Sequence, residues 1–208
     1  MPDFIVTPVS RSTTKSALSG PPEPVWPFRG DAELEAVQSR LEEAFGQVPN
    51  TYRSLAHAPQ FVNGWIDMAW MLRRDATVDE GVRELAIMRK AYLHNVDYLW
   101  RHHWKIAVKA GVTPGKLAGV PQWRDCAEFT PAERAAFEMV DELTADCRLS
   151  PEVWQRLREQ FTDREAVELL VIVSFYSCAS QTLAGLQVVL EDTVAGLPAV
   201  PVKTGDSL

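Results

Sequence analysis

RELAIMRKAYLHNVDYLWRHHWKIAVKAG, residues 83–111, is the stretch whose reading decides the fold. A helical pattern reaches about His94, Asn95 and Asp97 mark a break and a restart, and a second helix runs to Ala110, where Gly111 stops it. Upstream, Thr77 and Glu80 have the spacing of a capping box, so the first helix is expected to begin near Val78. The pair therefore reads as an antiparallel helical hairpin, roughly 78–94 and 96–110. On its second arm Val96, Leu99, Trp100, His103, Ala107 and Ala110 fall on one stripe. His103 is the one polar member, and an imidazole on an apolar stripe needs a hydrogen-bond partner or a site to serve. His102 points about 100° away on a helix and is expected nearer solvent, as is His94. On the first arm Glu84 sits among Leu85, Ile87 and Met88. If Glu84 faces the interior it meets His103 across the hairpin, where a carboxylate would orient the ring and raise its pKa. Tyr98 is a phenolic donor nearby.

Working outward, the signals stay helical. Asp31 is placed to cap a helix to Phe45 with Gly46 ending it, Asn50 to cap a short one to His57, and Pro59 to open another carrying Phe61, Trp65, Met68 and Met71. Beyond the hairpin, Thr113-Pro114, Thr130-Pro131 and Ser150-Pro151 each open a helix, and Thr162 with Glu165 forms a box before a long apolar helix expected to end at Gly196. No stretch alternates with period two for long, so the fold is expected to be all-α, about eight helices around the central hairpin. Residues 1–30, rich in Ser, Thr and Pro, read as an irregular arm that Trp26 and Phe28 could pin to the domain or to a neighbouring subunit; 31–196 as one helical domain; and 197–208 as a tail. A faint internal echo pairs Glu84-Leu85…Tyr92 with Glu168-Leu169…Tyr176 at the same spacing.

Composition narrows the function. The chain has 208 residues, 46% hydrophobic and 24% charged, with a net charge of −7, enough for one sizeable core. An acidic balance argues against nucleic acid or an anionic membrane as partner. The run from Ala166 to Leu190 is interrupted by Glu168, Ser174, Ser177, Ser180, Gln181 and Gln187, so it reads as a core helix and not a membrane span. Met1–Ser19 has no long apolar segment of the kind a secretory signal carries. Cys126, Cys147 and Cys178 are too few and too scattered for a disulfide framework or zinc site. Free thiols fit a reducing cytoplasm, and Cys178, in an apolar helix, is expected to pack. No spacing of ligands suggests a metal.

The ordered set Arg83-Glu84-Leu85, then Tyr98, Trp100 and His103, then Lys109-Ala110-Gly111 resembles the core motif of the carboxymuconolactone decarboxylase / alkylhydroperoxidase D-like family. Val48-Pro49-Asn50, Leu55-Ala56 and Pro59 resemble its upstream part, and 130–176 the helical extension of longer members. The likeness covers roughly residues 40–195. It implies an all-helical fold, assembly as a homo-oligomer, trimer or hexamer, and a site near subunit interfaces. In the thiol-active branch a CxxC pair precedes the histidine; Val96 and Leu99 stand at the matching positions, and neither supplies a thiolate. Glu84 and His103 match that branch's proton-relay glutamate and histidine, and Tyr98 a further relay position. Many cysteine-free members read Tyr-Glu-Trp before the histidine, where this chain has Leu99.

The resemblance thus implies a cofactor-free acid/base enzyme acting on a small carboxylate or lactone. His103 would move the proton, Glu84 orient it, and Tyr98 or Arg83 hold the substrate anion, with Trp100 at the pocket. Two other readings stand beside it: a peroxidase or antioxidant protein, which the missing CxxC argues against, and a non-catalytic oligomeric binding protein. The bland alternatives are a satisfied core histidine, a structural ion pair of Glu84 with an arginine such as Arg89, a salt-bridging Arg83, and a core or interface role for Trp65, Trp70, Trp100 and Trp104.

Overall fold

A computed structural model describes residues 20–24 and 32–203, and among them ten α-helices and no strand. The Asp31 cap and the Trp26 and Phe28 anchors lie outside the described residues. The helices are α1 Ala32–Phe45, α2 Asn50–Leu55, α3 Pro59–Arg74, α4 Glu80–His94, α5 Asp97–Lys109, α6 Pro114–Gly119, α7 Pro131–Asp146, α8 Pro151–Gln160, α9 Asp163–Gly185 and α10 Asp192–Ala195.

The hairpin of α4 and α5 stands at the centre. Asn95 closes α4 in the left-handed conformation, φ 55°, and Val96 N–H reaches back to the Ala91 carbonyl. Gly111, φ +92°, ends the second arm in the conformation only glycine adopts without strain. The α4 helix is buried on every face from Val82 to Leu93, packed against α5, α7 and α9. A second, smaller core joins α1, α2 and α3 through Leu34, Val37, Leu41, Tyr52, Val62 and Ile66, and Trp65 bridges the two.

Several local expectations are corrected. The N-cap of α4 is Asp79, whose side chain accepts from Val82 N–H. Thr77 instead gives its N–H and hydroxyl to Glu168 on α9, whose Oε2 gathers both together with Val78 N–H. The α2 helix starts at Asn50 behind Pro49, and the Asn50 amide reaches the Val189 carbonyl rather than capping. The long helix stops at Gly185, not Gly196: Gln187 turns left-handed (φ 49°) and Val188 N–H bonds the Leu183 carbonyl. Cys178 is exposed, not packed. Residues 197–203 are no loose tail: Val200 N–H donates to Asp97 and Arg101 to the Leu197 carbonyl, strapping the segment across the start of α5. By length and composition α9 alone among the described helices is apolar enough to cross a bilayer, yet Leu169, Ile172, Val173 and Tyr176 bury one face of it in the core.

Candidate active site

Glu84 and His103 meet. His103 Nδ1 lies 2.6 Å from Glu84 Oε2, across the hairpin, with both side chains buried. Arg83 Nε donates to the other Glu84 oxygen at 3.2 Å. Burial pushes the Glu84 pKa up, but His103 and Arg83 outweigh it and hold the carboxyl below its usual value. Burial lowers the His103 pKa by more than Glu84 raises it, with Arg73 and His102 adding to the depression. At neutral pH the pair is therefore an ionised carboxylate and a neutral imidazole. That assigns the ring proton to Nδ1, facing Glu84, and leaves a lone pair on Nε2. No described residue bonds Nε2.

His103 lines a cavity of about 120 Å³ whose walls include Tyr52, Trp65, Ala69, Leu99, Phe175, Tyr176 and Leu183. Its ring stands edge-to-face with Tyr176, centroids 4.8 Å apart. Burial raises the pKa of the Tyr176 phenol, keeping it protonated. Outside lies a cleft of about 820 Å³, lined by Arg73, Arg74, Arg83, Lys105 and Lys109 against Glu80 and Glu191. Phe45, Pro49, Arg73, His102 and Ile106 belong to both walls, so cleft and cavity adjoin along a shared wall, together called the passage below.

The other expected residues take different places. Tyr98 lines the inner cavity, but its hydroxyl donates to Glu191 at 2.8 Å and accepts weakly from Thr51 N–H at 3.4 Å. Each nitrogen of the Arg83 guanidinium is engaged, with Glu84, the Arg73 carbonyl and Glu80. Glu84 does not pair with Arg89, which binds Asp141 instead. Trp100 is in the main core, 5.9 Å from Trp104, and lines neither cavity. Trp65 and Trp70 do line the passage. His102 is not simply solvated: its Nε2 lies 2.7 Å from Glu191 Oε2.

Sequence reading missed three site residues. Arg73 lies in the last turn of α3; its side chain donates through Nε to the Ala69 carbonyl of its own helix and lines both the cleft and the inner cavity. Tyr176 stood in the internal echo without a role. Glu191, between α9 and α10, carried no local signal. Among the described residues no group of three or more His, Cys, Asp or Glu is arranged to hold a metal ion.

Residues 59–142 match the model of the carboxymuconolactone decarboxylase family. That segment of the chain belongs to that family. The match spans α3 to most of α7 and so contains Glu84, Tyr98 and His103 but not Tyr176 or Glu191. An uncharacterized protein, YdfG, of Bacillus subtilis is 24% identical over 119 residues, 56% of this chain and 80% of its own length. An uncharacterized peroxidase-related protein from Ralstonia eutropha with an alkylhydroperoxidase AhpD core has a similar fold, TM-score 0.69 at 20% identity over 76% of this chain and 85% of its own. So does a cysteine-to-alanine variant of the debrominase Bmp8 in complex with 2,3,4-tribromopyrrole, TM-score 0.66 at 18% identity over 85% and 93% of the two chains. At these identities the likeness concerns the fold. Within the carboxymuconolactone decarboxylase family domain of this chain, Val96 and Leu99 occupy the start of α5, and none of the three cysteines lines either cavity.

Proposed function

We propose that the protein is an acid/base enzyme that acts on a small carboxylate or lactone, with His103 as the proton carrier. The observation that carries this is the Glu84–His103 bond at the wall of a cavity, with the Nε2 edge of the ring left for a ligand. A buried neutral imidazole with a free lone pair is a base, and the ionised carboxylate behind it stabilises the imidazolium once the proton arrives. The proton would come from a carbon beside the substrate carbonyl. The developing negative charge needs a cation, and Arg73, at the junction of cavity and cleft, is suited to hold it. Arg83 fixes Glu84, and Tyr98 fixes Glu191. Trp100 anchors α5 in the main core.

A thiol peroxidase finds no support, since no sulfur reaches the passage. Three free cysteines favour a cytoplasmic protein. An exposed apolar strip on α9, with Val167 and its partly buried neighbours Leu170 and Val171, favours a homo-oligomer.

A screen of small carboxylates and lactones against wild type and His103→Ala tests the reading. Turnover by the wild type that falls about 100-fold or more in the variant is expected. Equal activity in both would end it.

A further inference from the structure

The family segment ends before Glu191, yet this carboxylate reaches the site. Its Oε2 lies 2.7 Å from His102 Nε2, and its Oε1 accepts from the Tyr98 hydroxyl at 2.8 Å and from Asn50 N–H at 2.6 Å. Both oxygens are thus held, by α2 and α5 together. His102 is the residue next to His103, and it lines both the cleft and the inner cavity. Its ring lies against Tyr98, centroids 4.4 Å apart.

We propose that Glu191 and His102 form a second acid/base couple of the same site, so that a substrate lying across cleft and cavity meets two imidazoles, His103 inside and His102 at the mouth. The proposal rests on the acid/base reading above. The two rings are held by opposite edges. His103 gives Nδ1 to Glu84 and keeps Nε2 free; His102 gives Nε2 to Glu191, and no described residue bonds its Nδ1. Each carboxylate fixes one tautomer, and consecutive residues on one helix thereby present two different free nitrogens to one passage.

The chemical consequence is a two-base cycle. His103 Nε2 takes a proton from a substrate carbon, and the C–H electron pair passes to the adjacent carbonyl as an enolate. That proton passes from His103 through water in the cleft to the free Nδ1 of His102, which then delivers it to a second atom of the substrate, and both imidazoles return to their starting tautomers. The leucine at position 99 does not deprive the site of a second carboxylate, because Glu191 supplies one from outside the family segment. Burial raises the Glu191 pKa, but His102, Asn50 N–H and Tyr98 together bring it to about 2, so it stays ionised. The charged and titratable groups around His102 are Glu191, Tyr98, His103 and Lys105, with Arg73 from α3 and Glu80 and Arg83 from α4.

Two measurements on the full chain decide it. In imidazole-¹⁵N NMR the wild type should show His102 as the Nε2–H tautomer and His103 as Nδ1–H. Glu191→Gln should change the His102 signature and leave that of His103. Averaged tautomers at His102 in the wild type, or no change in the variant, would overturn the couple. The second measurement uses any compound that the wild type turns over and His103→Ala does not. There Glu191→Gln should lower kcat about 30-fold or more, with KM within about threefold, and remove one limb of the pH profile. Asn50→Ala, which loosens the same segment at Val189, should keep both limbs. A Glu191→Gln enzyme with wild-type kcat and both limbs overturns the couple while leaving the role of His103 intact. Should no compound be turned over, the acid/base reading fails and the NMR result alone judges the pairing. If Glu191→Gln does not fold, His102→Gln, at a half-buried position, takes its place in the kinetic arm.

Discussion

The two halves of α4 carry the same kind of charge into the same core and treat it differently. In the first half Arg83 and Glu84 point to α5 and the passage. In the second half Arg89 and Lys90 point to α7. Arg89 donates to both oxygens of Asp141, at 2.7 and 3.2 Å, and to the carbonyls of Val120 and Pro121. Lys90 donates to the Thr144 hydroxyl at 2.7 Å. The second half is tied to its partners: its charges hold α7 and the turn after α6 to the central helix. In the first half the chain of bonds runs Arg83 to Glu84 to His103 and ends at a ring nitrogen open to a cavity. Arg89, Asp141 and Thr144 also line a cavity, of about 540 Å³, so a cavity wall alone does not separate the two halves; what does is that every guanidinium nitrogen of Arg89 is bonded, whereas His103 Nε2 has no described partner.

The largest expected effect breaks the structural half. Arg89→Ala takes the donor from the Val120 and Pro121 carbonyls and leaves Asp141 only Trp123 Nε1–H and the exposed Arg124; it should cost about 3 kcal/mol of stability, read by urea unfolding. Its residual folded fraction should keep the passage. A loss below about 1 kcal/mol would show that the closed network is not what anchors α7.

Next, Glu84→Gln probes the functional half. Glutamine keeps an acceptor for His103 Nδ1–H but loses the charge that stabilises the imidazolium. A fall in kcat of about 100-fold is expected with a stability loss of only about 1 kcal/mol. If stability collapses while activity per folded molecule is kept, the two halves do not differ as described.

The smallest effect concerns Lys90. Burial lowers its pKa from 10.5 to about 8, partly offset by Cys147. Between those values the unfolded chain binds a proton that the folded chain has released, so the Lys90 contribution makes stability rise with pH from about 8 to 10.5. Below about 8 both states are protonated and the full penalty applies. Lys90→Met should therefore be the more stable protein near pH 7, and its advantage should shrink toward pH 10. Urea titrations of both proteins at several pH values measure this. A constant difference across that range would mean the ammonium is not desolvated.

Much of this architecture was legible in the chain. The hairpin of 83–111, the glycine that ends α5, the Thr130–Glu133 and Thr162–Glu165 boxes and the threonine or serine before Pro114 and Pro151 all depend on contacts within a turn or two of helix, which sequence spacing encodes directly. So does the placing of Glu84 and His103 on the inner faces of adjacent arms. Helix starts at Thr77 and Asn50 were misread because their side chains bond carboxylate or carbonyl groups far along the chain, at Glu168 and Val189.

What the sequence alone determined is the all-helical hairpin and the two residues that face each other across it. Tertiary structure alone decided what surrounds them. The Glu191–Tyr98 bond joins residues 93 apart, Tyr176 arrives from α9 and Arg73 from α3. Such contacts depend on how helices pack, and packing obeys shape and burial across the whole core rather than any repeat along the chain.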